Sequence, residues 1–414
     1  MSVFHVLRLP MKTPLLIFAA CVLGLFSTIG TSLPYPILPP LFAADASNSL
    51  NNFMGLPPKL LFGIALSINP LGLLIGSALL GPLSDRYGRR PVLLSSALGA
   101  AVGHALTAWS LIILSYPLFI FARFVTGLLE GNAPVARAML AERLEGPLRV
   151  QALSWLNSAF YSGWLVGPLL AGITLGWGIT VPFWCAVLAL VFSAILIAWA
   201  LPKEAPSELK TSWWQVARSQ HSFNLLRMPS LRTLFIIQLF YTFGVTAFYE
   251  FYPLWLVEVA GYGSRGIAWV TAGLCAMLAI SSIFGGRHSD LSPLKRIRFH
   301  ALCATIAVVF VGLGNVWVGL AAIVLFGVPN AFYNALLPSW SAEKFGVYGQ
   351  GAVMGLISTT FCVANITMAL LGSVLTLFDT RYILLLGACG GFWAVWRIGH
   401  WETELNQQQN PLAK

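Results

Sequence analysis

Charged residues are scarce in this 414-residue sequence, where Asp, Glu, Lys and Arg make up only 9% of the chain and hydrophobic residues make up 57%. Soluble globular domains carry roughly 25% charged residues, so the composition excludes that class. The scarce charges are concentrated between long apolar runs. The sequence therefore predicts a multi-pass membrane protein, whose main surroundings are the lipid bilayer.

Several signatures of catalysis and cofactor binding are also missing. The six cysteines stand singly in apolar stretches, without the spacing of a metal or redox site. The sequence contains no glycine-rich phosphate loop and no arrangement of a nucleophile with a base or of paired carboxylates. We therefore predict that the chain is not an enzyme and binds no metal or cofactor. Without a nucleotide site, its energy source is expected to be an ion gradient.

Twelve apolar runs have about the length of a membrane helix, which needs roughly 20 residues to cross the hydrocarbon core. The predicted spans are 15–41, 59–81, 92–115, 117–140, 151–175, 180–201, 233–258, 266–286, 299–314, 317–340, 351–377 and 382–400. The ninth is the shortest. An even number of spans puts both termini on the same side of the membrane.

Lysine and arginine show which side that is. Nearly all of the 24 lie at the termini or at even-numbered loops, and only Lys59, Arg265 and Arg381 lie in odd-numbered loops. Because basic residues are retained in the cytoplasm, both termini are predicted to be cytoplasmic, in a bacterial inner membrane. The net charge of +10 then reflects topology and not binding to nucleic acid.

The longest polar stretch lies in the middle of the chain, at Pro202–Arg232, and contains the amphipathic piece Trp213–Arg218. Such a piece is typical of a helix that lies on the membrane surface. We predict three parts: a six-helix bundle over residues 1–201, a cytoplasmic linker over 202–232, and a second six-helix bundle over 233–414.

The loop between the second and third spans, Gly81–Arg90, is dense in charges and turn-forming residues and predicts a tight cytoplasmic hairpin. A weaker copy follows 205 positions later, which indicates an internal duplication. The residues shared by the two copies are Gly81, Ser84, Asp85 and Arg90 in the first and Gly286, Ser289, Asp290 and Lys295 in the second.

This loop resembles the pattern Gly-x-Leu-x-Asp-Arg-x-Gly-Arg-Arg of the major facilitator superfamily, with Pro82 at the first variable place. The resemblance implies two pseudo-symmetric six-helix bundles that bind substrate near the middle of the membrane and work by alternating access. It also implies a charge cluster of Asp85, Arg89 and Glu142 that gates transport. The gating residues implied in this loop and its copy are Gly81, Asp85, Arg86, Gly88, Arg89, Arg90 and Asp290.

The fifth span contains Gly163-x-x-x-Gly167-Pro168, which is similar to an element of the drug:proton antiporter branch of that superfamily. Small residues spaced by four let helices approach closely, so simple helix packing also explains the glycines. The resemblance implies export, with a conformational role for Gly163, Gly167 and Pro168.

Arg123, Glu130 and Arg137 recur every seven residues in the fourth span, which would put them on one helical face. Charges inside the bilayer are costly and usually serve a pathway. We predict that Glu130 carries the coupled proton and that Arg123 assists it, with an ion-pair lock between helices as the alternative. Arg137 is interpreted as structural. Glu250 in the seventh span is a second candidate for coupling, or else an acid at the membrane interface.

His104 is a lone histidine in the third span; a packing role is favoured, with proton relay left open. The proline-rich end of the first span, from Pro34 to Pro40, is expected to be bent or broken. Polar and aromatic side chains within the spans are the predicted substrate contacts: Tyr35, Asn157, Tyr161, Gln238, Tyr241, Tyr249, Asn330, Tyr333, Asn334 and Asn365.

These observations favour a monomeric, proton-coupled exporter of small amphipathic molecules. One alternative is symport of an anionic nutrient or carboxylate-type siderophore, which the arginines of the fourth span would favour. Another is a membrane receptor or sensor that transports nothing. The residues do not identify the substrate.

Overall fold

The computed structural model describes residues 12–43, 48–202, 226–283, 292–345 and 350–409. In these ranges the chain is helical apart from short connections, and it forms fourteen α-helices and two single turns of 3₁₀ helix, Ser49–Asn51 and Leu175–Trp177. The helices are α1 (Lys12–Ser32), α2 (Pro34–Phe42), α3 (Pro58–Tyr87), α4 (Arg89–Ile112), α5 (Tyr116–Glu130), α6 (Ala133–Arg143), α7 (Gly146–Thr174), α8 (Val181–Ala200), α9 (Pro229–Glu258), α10 (Ser264–Ile283), α11 (Pro293–Gly312), α12 (Val316–Phe345), α13 (Gln350–Leu375) and α14 (Thr380–Gln409).

Ten helical spans within the described ranges are long and apolar enough to cross a membrane, when α1 with α2 and α5 with α6 are each taken as one span. The other two predicted spans correspond to α10, whose apolar part is shorter, and to α11, which begins with three basic residues. The prediction of an all-α membrane protein is confirmed. Several helices run past the predicted span ends. Outside the hydrocarbon, charged residues are compatible with a continuing helix as well as with a loop, so the end of an apolar run does not mark the end of a helix.

The hairpin between α3 and α4 is tighter than predicted. Gly81 and Pro82 were expected to help form the turn, but they lie within α3, which continues to Tyr87. The turn consists of Gly88 alone, whose φ of 92° is accessible to glycine and strained for other residues. The charged residues before it are therefore presented on a rigid helix end.

The first span is broken at its proline-rich end, as predicted: α1 ends at Ser32 and α2 begins at Pro34. A proline has no N–H, so Pro34 cannot donate to the carbonyl oxygen of Gly30, four residues earlier. The break leaves that carbonyl to be satisfied by another part of the structure.

The fourth span is also broken, which the seven-residue periodicity did not indicate. Helix α5 ends at Glu130 and α6 begins at Ala133, because Pro134 cannot donate to the carbonyl oxygen of Glu130. The prediction that Arg123, Glu130 and Arg137 share one face of a continuous helix is therefore wrong. Arg137 lies on a separate helix with its own neighbours.

The chain divides into two compact units, Met1–Pro34 with Leu71–His221, and Tyr35–Pro70 with Ser222–Lys414. In the first unit, α1 packs on α7, and α4 packs on α5 and α8; in the second, α9 packs on α13 and α14, and α12 packs on α10 and α11. The predicted domains 1–201 and 233–414 stay predictions. The predicted amphipathic segment Trp213–Arg218 lies outside the described residues.

Helices α1 and α7 approach closely at the glycines singled out from the sequence. A side chain at Gly163 would lie 2.7 Å from Cβ of Thr28, and one at Gly167 would lie 2.8 Å from the carbonyl oxygen of Ile29 and collide with Oγ of Ser32. Pro168 follows within α7. The two glycines are therefore required for helix packing, whatever else they do.

We expect Gly167→Ala to destabilise the protein by about 1–3 kcal/mol, the usual range for overpacking a well-packed core. Thermal unfolding of the purified chain in detergent measures the effect. Gly176→Ala is the control, because no atom lies within 4 Å of the position that its Cβ would take. An unchanged melting temperature for Gly167→Ala would mean that α1 and α7 separate at little cost.

Candidate functional site

Glu130, at the end of α5, is a buried acid with a partner for each carboxyl oxygen. Its side chain is 2% exposed. Oε1 lies 2.8 Å from Nε2 of His104 on α4, and Oε2 accepts a hydrogen bond of 2.8 Å from the hydroxyl of Thr31 on α1. Three helices of the first unit thus meet at one carboxyl group.

His104 is a functional candidate for which the sequence favoured a packing role and left proton relay open. Its side chain is fully buried, and its ring stacks on Phe183 with centroids 6.3 Å apart. While Nε2 contacts Glu130, Nδ1 has no hydrogen-bond partner among the residues that the structure describes. The only signal in the sequence was a titratable residue in an apolar span, which does not identify its partner.

The backbone of α1 covers this pair. A side chain at Gly30 would lie 2.7 Å from Oε1 of Glu130 and collide with the imidazole of His104. Arg123 donates to the carbonyl oxygens of Gly30 at 3.5 Å and Thr31 at 3.1 Å. Arg123 therefore stabilises the break after α1 by satisfying the carbonyl that Pro34 leaves without a donor.

The hydrogen bonds of Glu130 can be satisfied in either protonation state. When the carboxylate is ionised, the Thr31 hydroxyl and a His104 N–H donate to it. When it is protonated, it can donate to the Thr31 oxygen, whose own proton then goes to the carbonyl oxygen of Ser27 at 3.1 Å. Alternatively, it can donate to Nε2 of the other His104 tautomer. A proton can thus be taken up or released here without leaving an oxygen of Glu130 unpaired.

Glu250 on α9 has a different environment. It is 1% exposed, so its carboxyl group is enclosed by protein. Neither carboxyl oxygen has a hydrogen-bond partner in the described part of the chain. Buried polar groups without partners are uncommon, which keeps Glu250 a candidate. Unlike Glu130, it has no hydrogen-bonded group among the described residues with which it could exchange a proton.

Arg89, the first residue of α4, joins the end of α3 to α6. Its Nη1 lies 2.6 Å from Oδ1 of Asp85, its Nε donates to Glu142 at 3.2 Å, and its two Nη atoms also contact Ser84 and Glu142. We call these four residues the Arg89 cluster. Its members are those implied by the family resemblance, together with Ser84; their role in gating stays a prediction.

The other predicted gating residues in this region have separate contacts. Arg90 donates from Nη2 to the carbonyl oxygen of Ala198 at 2.9 Å, and Arg86 lies over the ring of Tyr87 at 5.5 Å. Arg90 thus holds α4 against the end of α8. Asp290, in the second copy of the motif, lies outside the described residues.

Six of the predicted substrate contacts form one polar network between α9 and α12. Asn330 is its centre: its amide group donates to Tyr249 at 3.1 Å and accepts from Tyr241 at 3.4 Å and Asn334 at 3.3 Å. Tyr333 donates to Gln238 at 2.8 Å, and its ring stacks on that of Tyr241 with centroids 3.6 Å apart.

The remaining predicted contacts fall into two pairs. Tyr35 donates from its hydroxyl to Oδ1 of Asn365 at 3.3 Å, within the second unit. Asn157 and Tyr161 lie one turn apart on α7, in the first unit, where Asn157 accepts hydrogen bonds from Arg137. The ten residues therefore belong to three separate groups.

A second ion-pair cluster, which the sequence did not indicate, lies at the opposite end of α3 from the Arg89 cluster. Lys59 lies 2.7 Å from Oε1 of Glu258 at the end of α9, and it donates to the carbonyl oxygen of Thr376 at 2.6 Å. Oε2 of Glu258 accepts from Thr380 at 2.6 Å. This Lys59 cluster ties the beginning of α3 to α9 and α14, within the second unit.

We expect Lys59→Ala and Glu258→Ala each to lower the melting temperature and the double variant to lower it by less than the sum. The two side chains are only 15% and 23% exposed, so the coupling energy should be about 1 kcal/mol, at the upper end for an ion pair near the surface. The control is the same double-mutant cycle on the more exposed pair Arg397 and Glu404, which should give almost no coupling energy. Strictly additive effects at Lys59 and Glu258 would contradict this expectation.

A model of the family described as Major Facilitator Superfamily matches residues 20–369 of this sequence. The chain belongs to the major facilitator superfamily. It is accordingly a multi-pass membrane transporter and not an enzyme, and it binds a small-molecule substrate.

Within the superfamily, the similar proteins include resistance transporters. Multidrug resistance protein MdtG of Yersinia enterocolitica is 24% identical over 402 residues, covering 91% of this chain and 92% of that protein. Tetracycline resistance protein class H of Pasteurella multocida is 24% identical over 378 residues, with coverage of 87% and 88%. The match to the class B tetracycline resistance protein of Escherichia coli is 30% identical but spans only 43% of this chain and 42% of that protein.

Solved structures of the superfamily share the fold. A D-xylose-proton symporter matches with a TM-score of 0.74 at 16% identity, covering 93% of this chain and 96% of that one. The human organic anion transporter MFSD10 matches with a TM-score of 0.68 at 20% identity, covering 94% and 100%. These likenesses concern the arrangement of helices alone.

Proposed function

We propose that this transporter exports small amphipathic organic molecules across the bacterial inner membrane by exchange for protons. The observation that carries the proposal is the buried carboxyl group of Glu130, held by His104 and Thr31. A titratable acid with a partner for each protonation state is what a proton carrier inside a membrane requires. The names of the MdtG and tetracycline resistance relatives support export.

Coupling follows if only one protonation state of Glu130 keeps α1, α4 and α5 in their present contact. Binding a proton changes the direction of the Thr31 hydrogen bond and removes a charge next to His104. A change in the contacts of Glu130 can therefore shift the position of α1. The break at Leu33 gives α1 a point about which to move. We propose alternating access with both termini cytoplasmic and with the monomer as the working unit.

The hydrogen bonds already made by Arg123 argue against an anion at that residue. Its guanidinium donates to two backbone carbonyls, which a substrate would have to displace. Arg123 is therefore proposed to position α1 next to Glu130. The polar network around Asn330 is proposed to contact substrate in the second unit, where its tyrosine rings offer apolar faces.

Flux measurements on the purified transporter in liposomes test the proposal. A thermal-shift screen first selects compounds that stabilise the protein, and their uptake is then followed with a pH gradient of either direction. The proposal expects uptake only when the compartment receiving the substrate is the more acidic one. Accumulation in the same direction as proton flow would instead indicate symport, and no flux with any stabilising compound would favour a receptor.

A further inference from the structure

Helix α7 has an exposed face with several polar side chains, although α7 is long and apolar enough to cross a membrane. The polar members are Ser154, Ser158, Tyr161 and Ser162, and the apolar side chains of Trp155 and Val166 are exposed beside them. Helix α8 differs, since every exposed side chain on it is apolar, such as Leu188 and Trp199. Polar side chains in a span avoid lipid, which favours contact of this face of α7 with water.

Arg137 on α6 lies beside that face and is fixed in one orientation. Its Nε and Nη2 atoms both donate to Oδ1 of Asn157, at 3.2 and 3.1 Å. Its guanidinium also lies 5.6 Å from the ring centroid of Phe160, within the range of a cation–π contact. Asn157 and Phe160 together hold the guanidinium plane in place.

One edge of this guanidinium is used and the other is available. Asn157 occupies the edge formed by Nε and Nη2, so the edge formed by Nη1 and the second N–H of Nη2 remains. Among the described residues, no carboxylate pairs with Arg137 and no acceptor binds Nη1. An arginine inside a membrane span costs roughly 2.5–3.5 kcal/mol even on the lowest scales, and the described part of the chain places no carboxylate within ion-pair distance of Arg137.

We propose that Arg137 binds the anionic group of the transported substrate, and that the substrate is an aromatic organic anion. The open edge of a guanidinium matches a carboxylate or sulfonate, which accepts two parallel hydrogen bonds. Tyr161, one turn after Asn157 on α7 and 48% exposed, provides a ring for stacking, and Ser158 provides a further hydroxyl. This inference rests on the proposed transport of organic molecules and names their charge.

Two dyes with the same xanthene skeleton and opposite charge test the inference. Fluorescence anisotropy measures the binding of fluorescein, an anion, and rhodamine 123, a cation, to the purified chain in detergent. We expect the parent to bind fluorescein more tightly. Arg137→Gln should weaken fluorescein binding about 10- to 100-fold, the loss expected for charge-assisted hydrogen bonds. Rhodamine 123 binding should not weaken.

Arg137→Lys keeps the positive charge without the two-pronged geometry, and its affinity for fluorescein should be intermediate. This variant also serves if Arg137→Gln does not fold. Arg149→Gln removes an exposed arginine from the beginning of α7 and should bind both dyes like the parent. The proposal is overturned if the parent does not prefer fluorescein, or if the foldable Arg137 variants bind fluorescein like the parent.

The dye experiment uses no proton gradient, so its outcome is independent of the flux measurements. A preference for fluorescein that depends on Arg137, without proton-driven flux in liposomes, would retain the anion site and reject the exporter. Proton-driven flux without a preference for fluorescein would retain the exporter and reject the anion site.

Discussion

Glu130→Gln is expected to abolish proton-driven accumulation of substrate while leaving exchange without a gradient intact. Glutamine has the same size and can accept from Thr31 and pair with His104, so the contacts among α1, α4 and α5 should survive. It cannot bind or release a proton. Transport by the variant should therefore lose its dependence on pH. Uptake into liposomes with and without an imposed pH gradient measures both effects.

Glu145→Gln is the matched control, because Glu145 is exposed, belongs to the same unit and precedes α7. It should accumulate substrate like the parent. A further variant, His104→Gln, should shift the pH dependence of transport, because Glu130 then has a partner that does not titrate. If Glu130→Gln still accumulates substrate against a gradient, the coupling acid lies elsewhere, and Glu250 is the next candidate.

Arg89→Ala is expected to reduce transport to background without preventing the protein from folding into the membrane. Arg89 lies between the carboxylates of Asp85 and Glu142, and without it these two negative charges have lost their shared cation. The contact between the end of α3 and α6 should therefore weaken. Because Glu142 is largely exposed, the loss of folding stability should be small, about 1 kcal/mol or less. The main effect should be on the populations of the transport states.

Cysteine accessibility in intact cells and everted vesicles, measured together with flux, tests this expectation. Asp85→Asn should behave like Arg89→Ala. Arg397→Ala is the control, since it removes an ion pair confined to α14 and should transport normally. Full transport by Arg89→Ala with an unchanged accessibility pattern would show that these charges only enforce topology.

The site was only partly predictable from the sequence. Glu130 and Arg123 stand out because each is a charge in an apolar span, which is a property of the local sequence. The partner of Glu130 does not stand out in that way, since His104 is 26 residues away on an antiparallel helix. Their pairing depends on the register of α4 on α5, which is set where Gly99 packs on Leu129 and Gly103 packs on Thr126.

The misplacement of Arg137 had a different cause. A seven-residue spacing puts side chains on one face only while the helix is continuous. Pro134 lies between Glu130 and Arg137 and interrupts it, as Pro34 interrupts the first span. Pro134 could have been recognised in the sequence as a helix break, but the prediction relied on the seven-residue spacing.

The sequence by itself determined the all-α membrane class, most span positions and the break at Pro34. Each follows from local rules, because hydrocarbon requires apolar side chains and backbone hydrogen bonds made within the helix. Only the tertiary structure decided that Glu130 pairs with His104, that Lys59 pairs with Glu258 and that Arg137 keeps one edge open. These contacts join residues on different helices, and their geometry depends on how closely glycines let those helices approach and on where prolines break them.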